Sequence, residues 1–447
     1  MSKFDLIVIG GGSGGVRAAR VAAALGARVA LVEGGALGGT CVNAGCIPKK
    51  MLVYASRFRQ EFHDAVAYGW GDVSPPFGWP TLIHNKDTAI HRLNGLYDRL
   101  LTEAGVHIIR GWARLADAHT VAVDGQSFQA RHILIATGGR PSVPDFPGRE
   151  SVVTSDDAFH LPTLPRRVLV VGGGYIAVEF ACIFHGLGAE TTLVHRGDSI
   201  LRGFDVEARG HLTEALRARG LTLQLNTRIS AVKRDAHGLT ALLAGGRQLP
   251  ADLILYATGR LPNTAGLGLD RAGVELTASG AVQVDDGFRS SVPSIHALGD
   301  VIDRVRLTPV AIAEAAVFAR NLFGAGNGRM DYHAIPTAVF STPELAAVGL
   351  NEERARERHK HIKVFRSRFK PTRELLTGSE QRTLVKLIVE ATGDRVVGAH
   401  MVGDGAAEVI QGLAIAIKSG ATKAQIDATI GVHPTVAEEF FTLREAN

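Results

Sequence analysis

Apolar residues along this chain come in short runs, each closed by glycine and followed by an alanine-rich stretch with helical spacing. Phe4 to Ile9 is the first run, GGGSGG follows, and Val16 to Leu25 repeats apolar positions at helical period. Arg28 to Val32 is the next run, closed by Glu33. The pattern recurs with Arg167 to Val171 as strand, GGGYIAVE as turn, Ala177 to Leu187 as helix and Thr191 to Val194 as strand. Two copies of one βαβ start predict two dinucleotide-binding domains. ILIATGGRP (Ile133 to Pro141) and LILYATGRLPN (Leu253 to Asn263) mark where they end, and SIHALGD reads as a return to the first. From Ala334 the character changes: LVKLIVEATGDRVVGAHMVG predicts a hairpin around Thr392-Gly393-Asp394, and Ala406 to Ser419 is helical. The expected fold class is α/β, with two Rossmann-like domains and a C-terminal α+β domain. The expected divisions are 1–141, 142–262, a segment 263–333 returning to the first domain, and 334–447.

Composition narrows the classes. At 447 residues the chain is too long for a single core. Its 46% hydrophobic and 21% charged residues are ordinary for a globular protein, and 52 glycines suit close backbone approaches to nucleotides. No apolar run reaches the ~18 residues of a membrane helix, and MSKFDLIVIGGG enters a strand at once, so neither a membrane span nor a targeting segment is expected. The net charge of +5 is spread along the chain rather than gathered in basic runs, which points away from nucleic acid and towards small anions. Three cysteines make no disulfide framework, so a reducing, cytoplasmic setting is the expectation.

The two glycine loops differ where a ribose would lie. Gly10, Gly12 and Gly15 fit G-x-G-x-x-G, and Gly172, Gly174 and Ala177 fit G-x-G-x-x-A. In both, the first glycine permits the tight turn, the second lets a pyrophosphate approach, and the third position packs helix on strand. Twenty-three residues after Gly10 (33 − 10) stands Glu33, an acceptor for ribose hydroxyls. The same count from Gly172 lands on His195, with Arg196 beside it and Arg202 six further on. Cations favour a 2′-phosphate, so the second site should prefer NADP to NAD.

GGTCVNAGCIPKK holds two of the three cysteines, Cys41 and Cys46. A zinc site would need two more ligands, and no C-x-x-C or H-x-x-x-H pair supplies them, so no metal is expected. In a regular helix residues five apart lie roughly 8.6 Å apart at Cα, from ~1.5 Å rise and ~2.3 Å radius. A disulfide wants less than ~7 Å, so the chain must leave helical geometry near Asn43 to Gly45 if the pair is to close. Pro48 suits a first helical turn, and a helix N-terminus with Lys49 favours thiolate at one sulfur. The spacing favours a reactive, reducible pair over a metal clip or an inert staple.

Together these motifs, with LRGFD, ALGDV, LTPVAIAE and HPTVAEE, resemble the flavin-dependent pyridine nucleotide–disulfide oxidoreductases over nearly the whole chain, and within them the glutathione reductases. The resemblance implies FAD on the first loop, held by Gly10, Gly12, Ser13, Gly14, Gly15, Glu33 and Thr40, with Cys41, Lys49, Thr137, Gly138, Asp300 and Thr308 around it. It implies NADPH on the second, at Gly172, Gly174, Tyr175 (a gate), Ile176, Glu179, His195, Arg196, Arg202 and Gly259. Electrons would pass to the Cys41–Cys46 disulfide, with Cys46 on the flavin side, Cys41 attacking oxidised glutathione, and Lys49 and Glu179 a charged pair beside the flavin. His433, held by Glu438, would be the proton donor, acting on the partner site of a homodimer through the third domain. Ser13, Arg17, Arg20 and Tyr97 would meet the substrate. Ala316 stands where some relatives carry a substrate arginine, and Cys182 reads as an inert buried residue. A lipoamide dehydrogenase would carry an acid at 195, and FFTLREAN lacks the extra C-terminal cysteine or selenocysteine of mercuric and large thioredoxin reductases. A reductase for a modified glutathione, such as its amide, or for another low-molecular-weight disulfide, one accepting NADH, and a non-catalytic flavoprotein subunit are the alternatives.

Overall fold

The computed structural model describes residues 3–72, 75–236 and 238–446. The first apolar run forms β1 (Lys3–Ile9), the alanine-rich stretch α1 (Ser13–Ala24), and the next run β2 (Val29–Glu33). Leu6, Ile7, Val8, Ala30 and Leu31 have no exposed surface, as expected of parallel strands covered on both faces. Helices α2 (Gly39–Asn43), α3 (Cys46–Ala65) and α4 (Trp79–Glu103) precede β3 (His107–Arg110). Strands β4 (Ala113–Leu115), β5 (Thr120–Val123) and β6 (Gln126–Ile135) complete the order β3-β2-β1-β6-β5-β4.

The second unit contains β7 (Val153–Thr154), β8 (Arg167–Val171), α5 (Tyr175–Gly186), β9 (Glu190–Val194), α6 (Val206–Ala218), β10 (Thr222–Gln224) and β11 (Leu253–Tyr256). Its parallel sheet runs β10-β9-β8-β11-β7. Helix α5 starts two residues earlier than the pattern suggests, because the Gly174 carbonyl already accepts the Val178 amide at 3.1 Å. A three-stranded antiparallel sheet over residues 229–251, which the apolar pattern did not foretell, is inserted before β11.

SIHALGD does return to the first sheet: β12 (Ile295–Ala297) pairs with β6, Ile295 opposite Ile133. Next comes α7 (Thr308–Phe323), which packs so closely on α1 that a side chain at Gly14 would lie 2.7 Å from Leu298 and 3.4 Å from the Ala311 carbonyl. The third unit has β13 (Thr337–Val339), β14 (Leu345–Gly349), α8 (Glu352–Arg358), β15 (Ile362–Phe369), β16 (Thr383–Glu390), β17 (Val396–Val402) and α9 (Ala406–Lys418). Its antiparallel sheet is ordered β13-β14-β17-β16-β15, with the expected hairpin joining β16 and β17.

One buried cation ties the third unit to the second. Lys386 in β16, 1% exposed, donates to Asp205 Oδ1 (3.0 Å) and Glu352 Oε2 (2.8 Å), with Glu207 Oε2 at 3.3 Å. Asp205, also 1% exposed, caps α6 by accepting from the Glu207 and Ala208 amides. Removing one member of such a pair leaves a buried charge uncompensated. Lys386→Ala should therefore lower the urea midpoint by an amount equivalent to about 3–5 kcal/mol, and Lys386→Met combined with Asp205→Asn should recover much of it. A midpoint unchanged in Lys386→Ala would contradict this account.

Candidate active site

The cysteine segment is shaped by backbone. Gly38 and Gly39 take φ of 100° and 58°, and a side chain at Gly39 would sit 2.6 Å from Gly12 Cα. That contact docks the segment on the first glycine loop, with Gly38 N donating to the Gly11 carbonyl at 2.8 Å. Helix α2, carrying Thr40 and Cys41, ends at Asn43. Ala44 (φ −147°, ψ 42°) and Gly45 (φ −156°, ψ −122°) leave helical geometry, and Cys46 opens α3. This is the departure that the spacing of the two cysteines demanded. The Asn43 amide, unforeseen from sequence, fixes the turn by donating to the carbonyls of Leu37 (3.2 Å) and Gly39 (3.0 Å), while Asn94 donates to Asn43 Oδ1 at 2.9 Å.

Cys41 and Cys46 are free thiols hydrogen-bonded to each other, the open form of the pair. They are not equivalent. The bond from Cys41 lowers Cys46 to about 6 against the opposition of burial, with further help from the Thr308 hydroxyl, 3.6 Å away, and the Lys49 charge. Cys41 moves the opposite way, pushed well above the ordinary thiol range by its bond to Cys46, by burial and by the Cys46 charge, although the Thr308 and Ser13 hydroxyls pull it down. At neutral pH the pair carries its negative charge on Cys46. Tyr97, half-buried, senses the charge of Cys41 after its own burial, which places it beside that sulfur.

A second cluster meets the pair from the other domains. Lys49 Nζ donates to Glu179 Oε1 at 2.8 Å, and the same oxygen accepts the Phe340 amide at 2.9 Å. Glu179 in α5 is 2% exposed, and the ammonium groups of Lys49 and Lys50 lie 4.1 and 3.7 Å from the Phe340 ring centroid. Tyr175, first residue of α5 and 43% exposed, has its hydroxyl pushed up to about 12 by burial and then by the charges of Glu179 and Asp300. Burial also raises Asp300, which Arg260 and Arg306 oppose. Arg260, another residue that the sequence reading passed over, donates to Thr40 Oγ1 (3.4 Å) and to the Gly139 carbonyl (2.5 Å), with Asp156 at 3.5 Å.

The glycine loops have the shape that dinucleotides need. A side chain at Gly10 (φ +110°) would lie 2.4 Å from the Ala136 carbonyl, one at Gly15 1.9 Å from that of Gly10, and one at Gly172 (φ +145°) 2.4 Å from that of Ala257. At Gly138, Gly174 and Gly259 it would meet nothing within 4 Å, so there the backbone faces open space where phosphates can lie on amides. Glu33 accepts from the Gly11 and Gly35 amides at 2.6 and 2.7 Å, which fixes its carboxylate beside the first loop. Thr137 donates to the Asn263 carbonyl at 2.7 Å and tethers the loop that carries Gly138. Ile176 is half-buried at the second loop, and the His195 ring lies against Gly173. His195 is held below its usual range by burial and by Arg196. Arg196 and Arg202 are exposed and free of partners among the described residues. The residues present thus fit FAD on the first loop and a phosphate-bearing nicotinamide coenzyme on the second.

A family model described as pyridine nucleotide-disulphide oxidoreductase matches residues 4–315, and one for the dimerisation domain of the same family matches 335–444. The chain belongs to the pyridine nucleotide–disulphide oxidoreductases. It is similar to a glutathione reductase of Burkholderia cepacia, 51% identical over 441 residues, covering 99% of this chain and 98% of that one. A chloroplastic/mitochondrial glutathione reductase of Pisum sativum is 46% identical, over 99% of this chain and 82% of that one. One from Nostoc is 45% identical, over 99% of both.

Two sets of expected residues of this oxidoreductase stand apart from the thiols or without partners. His433 Nδ1 lies 3.0 Å from Glu438 Oε2, but the ring is 80% exposed on the third unit. Arg17 and Arg20 lie on α1 one and two turns beyond Ser13, half-buried, with Nε atoms that have no partner. Cys182 is 7% exposed within α5, and burial raises its thiol to about 11, as an inert core cysteine requires. Among the described residues no group of three His, Cys, Asp or Glu side chains could hold a metal ion, and no helix is long and apolar enough to cross a membrane.

The charge on Cys46 can be read chemically. In the reduced protein, the alkylation rate of Cys46 by iodoacetamide should fall as pH drops through about 6. Because Lys49 stabilises the thiolate, Lys49→Met should move this midpoint upward. A midpoint that stays near the ordinary thiol value in the unsubstituted protein would contradict the assignment.

Proposed function

We propose that this chain is an NADPH-dependent glutathione-disulfide reductase, acting as a homodimer with bound FAD in the cytoplasm. The observation that carries the reading is the unequal thiol pair, docked on the first glycine loop and tied through Lys49 to the helix that follows the second. The similarity to glutathione reductases along almost the whole chain supports it. Residues 1–141 are taken as the FAD domain, 142–262 as the NADPH domain, 263–333 as the completion of the first, and 334–447 as the dimer interface. Bound FAD and NADPH supply the two electrons that reopen the Cys41–Cys46 disulfide after each turnover, chemistry that no side chain provides.

The side chains do the rest. Cys41 attacks one sulfur of oxidised glutathione. Its ionisation is suppressed, so it needs a base, and the partner subunit's His433 takes the proton as the Cys41–glutathione bond forms and the substrate S–S bond breaks. The same imidazole returns that proton to the departing glutathione thiolate. Glu438 holds Nδ1, which leaves Nε2 free for this transfer. The Cys46 thiolate next attacks the Cys41 sulfur, closes the intramolecular disulfide and expels the second glutathione, which is protonated from water. Lys49 and Thr308 keep Cys46 ionised, Glu179 holds Lys49, and Tyr175 gates the nicotinamide pocket. Ser13, Arg17, Arg20 and Tyr97 receive the substrate, whose carboxylates suit the two guanidinium groups.

The deciding measurement is steady-state turnover of oxidised glutathione, its amide, lipoamide and trypanothione, each with NADPH and with NADH. Glutathione disulfide with NADPH should be fastest, and absence of that turnover would sink the reading. Arg196→Gln should raise KM for NADPH on the order of 10–100-fold, the worth of one charge-assisted bond, and leave KM for NADH unmoved.

Action in trans has its own test. His433→Gln should slow turnover about 10²–10⁴-fold, and Cys41→Ser should abolish it. Heterodimers of the two inactive chains hold one intact site only if His433 serves the neighbouring subunit, so mixing and reassembling them should restore activity. Mixtures that stay inactive despite forming heterodimers would place His433 in cis or outside the site.

A further inference from the structure

Within LRGFD (Leu201 to Asp205) the backbone around Arg202, the proposed phosphate ligand, is unusual. Leu201 has φ +55° and Gly203 φ +101°. A bulky residue at positive φ is costly and persists only where its surroundings over-determine it. Here they do. The Leu201 side chain is 1% exposed, its amide donates to the Gly173 carbonyl of the second glycine loop at 2.6 Å, and its own carbonyl accepts from Phe204 at 3.1 Å.

Two further grips come from the third unit. Asn351, 7% exposed, donates through Nδ2 to the Gly203 carbonyl at 3.3 Å. Asp205, at the end of the turn, is bonded to Lys386 and accepts the Glu352 amide at 3.2 Å. Between these anchors Arg202 stands exposed, its side chain with no hydrogen bond or ion pair among the described residues.

We propose that Asn351 and the Lys386–Asp205 pair are positioning residues for coenzyme choice, through which the third domain holds the 201–205 turn in the form that presents Arg202 to the 2′-phosphate of the coenzyme. The inference rests on the reading of Arg202 as a phosphate ligand. If the grip on Gly203 is lost, the turn can relax towards negative φ and carry the guanidinium away. The pyrophosphate loop is held apart from the turn, since Gly172 N donates to the Val194 carbonyl at 3.0 Å and the Gly174 carbonyl accepts the Val178 amide at 3.1 Å. The loss should therefore fall on the phosphorylated coenzyme alone.

Asn351→Asp isolates the effect. It keeps the Oδ1 that accepts the Arg354 amide at 2.9 Å and caps α8, but replaces the donor facing Gly203 with an acceptor. The probes are 2′,5′-ADP and ADP, which lacks the 2′-phosphate, titrated calorimetrically into the FAD-bound dimer. Asn351→Asp should weaken 2′,5′-ADP about five- to tenfold, leave ADP unchanged, and lower the NADPH/NADH ratio of kcat/KM by the same factor. Asn351→Ser, whose hydroxyl can cap but not reach Gly203, should behave alike if the aspartate variant folds poorly. Unchanged 2′,5′-ADP affinity in a folded variant, or equal weakening of both probes, would overturn the proposal. Arg202→Gln is the separate control: if it fails to weaken 2′,5′-ADP, the phosphate reading itself is wrong and the proposal goes with it.

Discussion

The site depends on one buried carboxylate. Glu179 is 2% exposed, and a carboxylate in such a place costs several kcal/mol unless it is paired and hydrogen-bonded. Its two partners come from distant parts of the chain, Lys49 from 130 residues before and the Phe340 amide from 161 residues after. Satisfying Glu179 thus locks together the helix behind the second glycine loop, the helix that begins at Cys46, and the residue that follows β13 in the third unit. The lysine that serves Glu179 also faces the Cys46 thiolate and the Phe340 ring. No part of this junction can shift without exposing an unpaired charge, and that gives the thiol pair a rigid floor.

The asymmetry of the two thiols follows from a break in a helix. Five-residue spacing cannot be bridged within regular α geometry, so Ala44 and Gly45 leave it and a new helix starts at Cys46. Cys46 therefore occupies a helix N-terminus, where a negative charge is favoured, with Lys49 one turn on. Cys41, in the preceding short helix, has hydroxyls rather than cations for neighbours and gives its proton up last. Two identical residue types thereby acquire opposite preferences, Cys46 for thiolate and Cys41 for thiol.

Features governed by near neighbours were legible in the sequence. The two glycine loops, the Glu33 and His195 contrast and the interruption between the cysteines all depend on residues within about two dozen positions. Resemblance extended the reading to Glu179, Tyr175 and His433, whose surroundings no spacing could supply. What stayed hidden was long-range side-chain chemistry. Arg260 reaches Thr40 across 220 residues, and Lys386 reaches Asp205 across 181. Lys386, within LVKLIVE, is buried at 1% exposure among three carboxylates, none of them near it in sequence. The antiparallel strands at 229–251 were missed for a related reason: their short half-buried alternation resembles that of any surface loop with a few apolar residues.

The third domain has more than an external role. Outward, it exposes His433 and a set of apolar side chains, Ile415, Ile430 and Val432 at 68%, 94% and 73%, which suits a domain that matches a dimerisation model. Inward, the same domain contributes the Phe340 amide to Glu179, Glu344 to Arg57 of α3 at 2.7 Å, and Lys386 and Asn351 to the turn that carries Arg202. Of these, Lys386 lies in β16, Phe340 and Glu344 stand in the connection between β13 and β14, and Asn351 caps α8. The exposed apolar residues and those that brace the thiol pair and the Arg202 turn are on that account carried by one domain, whose core packs α9 on the sheet.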